Sequence, residues 1–394
     1  MKSHQNKIEK LISELCPKGV DSFKVGEMCE VNRGRVMSKD YLQDNAGEYP
    51  VYSSQTANEG MMGKINTFDY DGEYVTWTTD GAYAGSVFHR NGKFSITNIC
   101  GLLKPKDDNL NIKYLSYILG TKAKAYVSAG MGNPKLMSNV MQSIIIPVPP
   151  IEIQKEIVKI LDNFTELEAE LEAELEARKK QYEYYYDEIF TFGNDVKVKK
   201  MEEVSNIFDS LHKTPSYSDS GFPMIRVTDI KGGYINNEST LKVDKEIFEV
   251  FTKKYKPQFN DIVISRVGSY GNFSLVGEGD VCLGQNTAII HPLINAKYLY
   301  YVLKSKKVST FVENNVGGGS QKTITLSNIK EIPILVPSEE EQKRIVSILD
   351  KFDALVNDIS IGLPAELNAR RKQYEYYRNQ LLTFPELKSN EYAK

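Results

Sequence analysis

Apolar positions recur at alternating spacings of three and four along two stretches of the chain. In the first, positions 161, 164, 168, 171, 175, 178, 182, 185 and 189 are apolar or aromatic except for Glu168 and Arg178. In the second, Leu349, Phe352, Val356, Ile359, Leu363, Leu367, Arg370, Tyr374, Tyr377 and Leu381 keep the same spacing, broken by one 4,4 step between Leu363 and Leu367. A 3,4 alternation is the seam of a helix that pairs with another helix, and four extra residues produce a stutter in such a seam. Each stretch follows a proline-marked strand exit, Pro147 to Pro150 and Val336-Pro337, which suits a helix start. Ser338 followed by Glu341 has the spacing of a capping box. Pro364 falls inside the second pattern and predicts either a kink or a fresh start, because proline removes a backbone bond.

The two stretches are copies of one another. VPPIEIQKEIVKILDNFTEL (148–167) matches VPSEEEQKRIVSILDKFDAL (336–355), pairing Gln154 with Gln342, Asp162 with Asp350 and Phe164 with Phe352. ARKKQYEYYYDEIFTF (177–192) matches ARRKQYEYYRNQLLTF (369–384) at an offset four residues larger. A long-period repeat of this kind has to be read before any other feature. Because a block of well over a hundred residues separates the two helices, the simplest pairing is antiparallel.

Period-2 strands mix with short helices in the two blocks between these stretches, which predicts an α+β class. The blocks share landmarks: opening strands at Phe23 and Val198, central turns after Tyr74 and Ile262, asparagines at Asn98 and Asn286, short helices at Tyr114 and Tyr298, and glycine-rich loops at Gly130 and Gly317. The predicted order is a short N-terminal helix (1–20), a first globular block (21–148), a first long helix (149–194), a second block (195–336), and a second long helix with a tail (337–394). The result is a pseudo-twofold internal repeat of two globular domains separated by two long helices that pair as an antiparallel coiled coil.

Composition narrows the function. At 394 residues, two or three domains are expected. No run of eighteen apolar residues exists and the N-terminus is polar, so the reading is cytoplasmic, with no membrane span. Cys16, Cys29, Cys100 and Cys282 form no CxxC pair, and His4, His89, His212 and His291 have no ligand spacing, so neither a metal nor another cofactor is expected. Residues 151–192 hold twelve Asp/Glu against five Lys/Arg, a local charge of −7 that leaves +4 for the rest of a chain totalling −3. A mildly basic remainder permits nucleic-acid binding without demanding it. The chain lacks a GxxxxGK[ST] loop and an Asn-Pro-Pro-Tyr tetrapeptide. Asp261, before Ile262-Val-Ile264, reads better as a strand-edge residue than as part of a nuclease.

The motifs IEIQKEIVKILDNF, EEEQKRIVSILDKF and the two RxKQYEYY clusters resemble the conserved regions of specificity subunits of type I restriction–modification systems. The resemblance covers almost the whole chain. It implies that each block is a target recognition domain reading one half of a split DNA site, that the helices fix the gap, and that methyltransferase subunits, usually two, and restriction–translocase subunits supply the chemistry. No catalytic residue is then expected here.

Reading double-stranded DNA needs bidentate donors at base edges and smaller polar groups on phosphates. Block one offers Arg33 and Arg35, then Ser54, Gln55 and Asn58, then Thr78, Thr79 and Tyr83, and finally Lys135. Block two offers Lys213, then Arg226, Thr228 and Lys231, then Arg266, Ser269, Tyr270 and Asn272, and finally Gln321 and Lys322. Gln154, Tyr182, Tyr185, Gln342, Tyr374 and Tyr377, repeated in both helices, are the expected contacts to a partner subunit. A self-sufficient DNA-modifying enzyme and a two-headed DNA-binding repressor remain as alternatives.

Overall fold

The computed structural model describes residues 2–128, 132–193, 196–319, 321–357 and 361–385. They form two compact units, one of Met1–Leu171 with Leu367–Lys394, the other of Glu172–Glu366. Six helices organise them: α1 (Lys2–Leu15), α2 (Ile112–Lys122), α3 (Ile151–Glu188), α4 (Ala296–Leu303), α5 (Glu339–Asn357) and α6 (Leu363–Leu381). The first half of α3 belongs to unit 1 and its second half to unit 2.

In unit 1 a six-stranded sheet, counted among the described residues, runs in the order Cys29–Arg33, Cys100–Pro105, Tyr70–Thr78, Val87–Ile96, Ala46–Tyr52, Met61–Ile65. In unit 2 the corresponding strands form a four-stranded sheet, Ser205–Asp209, Thr287–Pro292, Ile262–Ser265, Phe273–Leu275, beside a three-stranded sheet of Leu241–Val243, Phe222–Ile225 and Cys282–Leu283. Each block is closed by its own ends. Ser22–Lys24 pairs antiparallel with Ile145–Pro147, and Lys197–Lys200 with Pro333–Val336. This closure brings the chain into and out of each block at one place, beside the helices.

The residues shared by the two sequence copies fasten the helices to the blocks. Asn111 caps α2 by accepting from the Tyr114 N–H at 3.0 Å, as Asn295 caps α4 through Tyr298. The carboxylate of Asp162 takes Lys113 at 2.6 Å and the Tyr117 hydroxyl at 2.7 Å; Asp350 takes Lys297 at 2.7 Å and Tyr301 at 2.6 Å. Buried Tyr114 donates to the Pro147 carbonyl, and Tyr298 to that of Leu335. Burial, with the adjacent carboxylate, pushes the Tyr117 and Tyr301 hydroxyls above their ordinary range.

Helix pairing inside each unit follows the predicted seam. In unit 1, Phe164 of α3 meets Tyr374 and Tyr377 of α6 at 6.1 and 5.6 Å, while Glu168 pairs with Arg371 at 2.6 Å, so the two run antiparallel. In unit 2 the equivalent rings, Tyr182 and Phe352, stack at 6.0 Å.

Of the two outcomes that Pro364 allowed, the fresh start holds, and one seam position changes. The second long helix is broken into α5 and α6, with Pro364 in the first turn of α6, where its missing N–H costs nothing. The described residues Ile361 and Gly362 interrupt the helix before α6, and Ile359 lies outside the described residues. At the end of α3, Tyr186 turns inward and Tyr185 is 49% exposed. There the helix packs on the globular core, where Tyr186 meets Tyr301 and Phe190 meets Tyr298. A straight 3.6-residue helix drifts off a 3.5 repeat, and the inward stripe becomes 182, 186, 190.

Candidate nucleic-acid interface

Strand register aligns the two units residue by residue. Arg33 stands opposite Gly101 and Asp209 opposite Ala288. Thr78 stands opposite Cys100 and Ser265 opposite Thr287. Arg33 and Asp209 are thus equivalent, as are Thr78 and Ser265, and Thr79 and Arg266. Asn98 accordingly matches Gln285 rather than Asn286, since the N–H groups of Thr79 and Arg266 bond the carbonyls of Ile99 and Asn286.

Beyond this point both units build the same turn from different residues. Thr78 Oγ1 and Ser265 Oγ each accept a backbone N–H at 3.1 Å, from Ser86 and Asn272, and each donates back across the turn, to the Tyr83 and Ser269 carbonyls. The carbonyls of Thr79 and Arg266 take the N–H groups of Leu136 and Ile324 at 2.9 and 3.0 Å. Gly81 and Gly268, at φ +91° and +75°, donate to Pro134 and Lys322 at 3.0 and 3.3 Å. Positive φ at these two positions is the conformation glycine adopts without strain. The turn and the loop after the short helix are thereby zipped together in both units.

On this frame unit 1 gathers Arg33, Thr78, Tyr83 and Lys135. The Arg33 guanidinium donates to the Asn98 carbonyl and to Thr79 Oγ1, the latter at 3.1 Å. Thr79 continues to Asp80 at 3.3 Å, which pairs with exposed Lys135 at 3.5 Å. Tyr83 is 54% exposed at the tip, whereas Thr78 is buried and shapes the turn. Arg35 is gripped by Asp69 at 3.1 Å and the Tyr41 hydroxyl at 2.9 Å; the Tyr41 bond, then Asp69, push its pKa up. Thr97 ties in the next loop, bridging Arg35 and bonding Ser53 at 3.0 Å. In that loop Asn58 is exposed, Ser54 and Gln55 are half-buried, and Gln55 is bonded to the Met61 carbonyl. Buried Arg90 supports the loop from beneath, 3.7 Å from the Tyr52 ring and bonded to the Glu59 carbonyl.

Unit 2 gathers Arg266, Ser269, Tyr270, Asn272 and Lys322 at the equivalent turn. Arg266 is largely buried and bonded to Asp209 and to the Ile324 carbonyl. Asp209 also receives His212 at 3.2 Å. Lys213, Gln321 and Lys322 are exposed. Arg226 clasps Asp229 through two bonds of 3.0 and 3.1 Å, which hold its pKa up; Thr228 and Lys231 are exposed beside it. Gly317 is zipped to Thr323, while Gly130 lies outside the described residues.

Gln154 and Gln342 leave no side-chain surface for a partner. Gln154 accepts from the Asn111 N–H at 2.8 Å and donates to the Asn109 and Pro149 carbonyls, and Gln342 repeats the pattern with Asn295 and Pro337. Tyr182, Tyr374 and Tyr377 are half-buried in the helix seams. The side chains that face outward are Tyr184 and Tyr376, 63% and 58% exposed, each edge-to-face with its neighbour, Tyr185 or Tyr377, at 5.1 and 5.4 Å. Asp209 and the outward pair Tyr184 and Tyr376 are candidate positions that the polar-loop and seam readings passed over, whereas Thr79 stood in the same loop as Thr78. Aligning strand ends across the repeat would have found Asp209. Asp261 is buried, bonded to Tyr255, His291 and the Gln258 N–H, and holds a loop in place. Among the described residues no cluster of His, Cys, Asp and Glu could hold a metal ion, and no helix is long and apolar enough to cross a membrane.

The sequence matches the type I restriction modification DNA specificity domain twice, over residues 17–177 and 193–369. The chain belongs to that family. Its members are the non-catalytic, DNA-sequence-recognising components of restriction–modification systems. The chain is 33% identical over 377 residues to S.MpnORF507P of Mycoplasma pneumoniae, named as a type I specificity subunit, covering 93% of this chain and 98% of that one. The type I restriction enzyme MpnII specificity subunit of the same organism is 42% identical over 198 residues, 49% of this chain and 59% of the relative. Among solved structures, the type I S subunit of M. genitalium gives a TM-score of 0.57 at 16% identity, covering 92% of this chain and 96% of that one. A chain from a study of complex assembly and conformational transition in the type I system gives 0.61 at 14%, covering 92% and 97%. These two share the fold.

Proposed function

We propose that each unit of this specificity subunit reads one half of a bipartite double-stranded DNA site in the cytoplasm, and that α3 sets the gap between the halves. The observation that carries this reading is the duplication itself: one strand-and-turn frame, repeated bond for bond, presents two different sets of polar side chains. A repeated frame fixes where a reader stands, and the loop residues decide what it reads. In this role Arg33, Tyr83 and Lys135 in unit 1, and Ser269, Tyr270, Asn272 and Lys322 in unit 2, face base edges or phosphates. Lys213, Thr228, Lys231, Asn58 and Gln321 extend the basic and polar rim. Thr78, Gln55, Arg35 and Arg226 hold the loops.

Methyltransferase subunits, two in number to match the duplication, dock on the helices through the exposed tyrosine pairs Tyr184–Tyr185 and Tyr376–Tyr377, and restriction–translocase subunits join that complex. Their basic surfaces supply phosphate affinity that a chain of net charge −3 lacks. Replacing the outward-facing Tyr184 and Tyr376 with alanine should weaken co-purification of the methyltransferase without unfolding the chain; undiminished assembly would remove that assignment.

The gap is tested through the three Glu-Leu-Glu-Ala copies at 166–177, which lie inside the unbroken α3. Each copy adds about 6 Å of helix, against about 3.4 Å per base pair. Deleting one copy should shorten the unspecified gap by about one or two base pairs and leave both half-sites unaltered. A gap of unchanged length would contradict the role given to α3.

A further inference from the structure

We propose that Arg33 and Asp209 are paired specificity determinants: at one frame position unit 1 offers a hydrogen-bond donor and unit 2 an acceptor, so the units read opposite base-edge chemistry at the equivalent step. The inference rests on each unit reading one half-site. The position is the same in both, set by strand register and by the turn that follows. The chemistry is inverted. Arg33 presses one edge of its guanidinium on the Asn98 carbonyl and Thr79, and among the described residues its Nη1 has no hydrogen bond within the chain. A guanidinium fixed in this way has little freedom left to lose, and the two N–H donors of its Nη1 suit the O6 and N7 acceptors of guanine.

In unit 2 the arginine has moved to the position of Thr79, becoming Arg266, and a carboxylate takes the place of Arg33. Arg266 cannot do the reading itself, because it is largely buried and bonded to Asp209 and the Ile324 carbonyl. What it does is neutralise and aim the carboxylate. A bare carboxylate would be repelled by phosphates, whereas one paired with arginine can approach the duplex. Asp209 retains acceptor capacity beyond its bonds to Arg266 and His212. The matching base group is an exocyclic amine, cytosine N4 or adenine N6.

The test is the adenine methylome of a methylation-free host carrying the chain with its methyltransferase subunit, as wild type and as Arg33→Gln, Arg33→Lys, Asp209→Asn and Asp209→Glu. Either Arg33 variant should relax one base pair of one half-site, by roughly ten- to a hundred-fold in discrimination. Lysine keeps the charge but not the fork, so relaxation by Arg33→Lys separates reading from phosphate attraction. The Asp209 variants should relax or switch one base pair of the other half-site and leave the first untouched. Asp209→Glu keeps the ion pair with Arg266 and guards against simple unfolding. A wild-type split motif with all four variants unchanged, or with methylation lost evenly at every position, overturns this proposal alone. A wild type without a split motif overturns the bipartite reading beneath it.

Discussion

Unit 1 and unit 2 differ where they reach outward and agree where they meet the helices. Unit 1 extends its sheet to six strands, while unit 2 leaves its sheet at four and builds a separate three-stranded one. Yet Gln154 and Gln342, Asp162 and Asp350, and Tyr114 and Tyr298 make the same bonds. The glutamines and tyrosines among these are buried polar groups that satisfy specific backbone atoms, and such groups tolerate little change, because a lost partner leaves a desolvated group behind. Solvated loop residues carry no such constraint. The difference teaches that the repeated clasp tolerates little change, and that the outer surfaces are free to differ.

The core keeps pace with this rule. Trp77 in unit 1 lies over Gly101, and at the same two places unit 2 has Ile264 and Ala288. A Cβ at Gly101 would stand 2.2 Å from the indole. Gly101→Ala should therefore cost about 3 kcal/mol or more by overpacking, whereas Ala288→Gly in the other unit should cost about 1 kcal/mol. Denaturant unfolding checks both, and equal small losses would contradict the matched packing. The clasp should behave alike in the two copies: Gln154→Ala and Gln342→Ala should each lower stability by about 1–3 kcal/mol. If only one of them did so, the repeated bonds would not be energetically equivalent.

Alkaline pH gives a smaller, shared effect. Burial, with Asp162 and Asp350, raises the pKa of Tyr117 and Tyr301, so these phenols stay neutral in the folded chain while the unfolded chain ionises from about pH 10. Their contribution is complete below that pH and is lost as pH rises toward the raised values. Burial also pushes the Cys29, Cys100 and Cys282 thiols to about 12, adding to the same loss above about pH 9. Thermal midpoints between pH 8 and 11 should fall, and Tyr117→Phe with Tyr301→Phe should flatten that fall. A midpoint that rises with pH would contradict the assignment.

The repeat was legible because its signals are local: seam spacing, proline exits and the QKEIVKILD and QKRIVSILD matches. The short helices at Tyr114 and Tyr298, and a kink or fresh start at Pro364, were readable from the sequence alone. What the sequence hid are matters of three-dimensional register. Nothing local says that Arg33 aligns with Asp209, or that Tyr186 rather than Tyr185 turns inward where α3 leaves its helical partner for a globular core. Repetition marked Gln154 and Gln342 as partner contacts, since burial paired to backbone atoms leaves no sequence signature. Loop arginines such as Arg226 and Arg35 looked like free donors; their carboxylate partners, Asp229 three residues on and Asp69 in a distant strand, show only in the fold.

The most direct test of two readers on one frame is single-molecule sequencing of methylated adenines after co-expression of the unaltered chain with its methyltransferase subunit in a methylation-free host. The account gives a split motif of two different, specified halves with a gap of constant length. A continuous motif, or methylation without sequence preference, would contradict it.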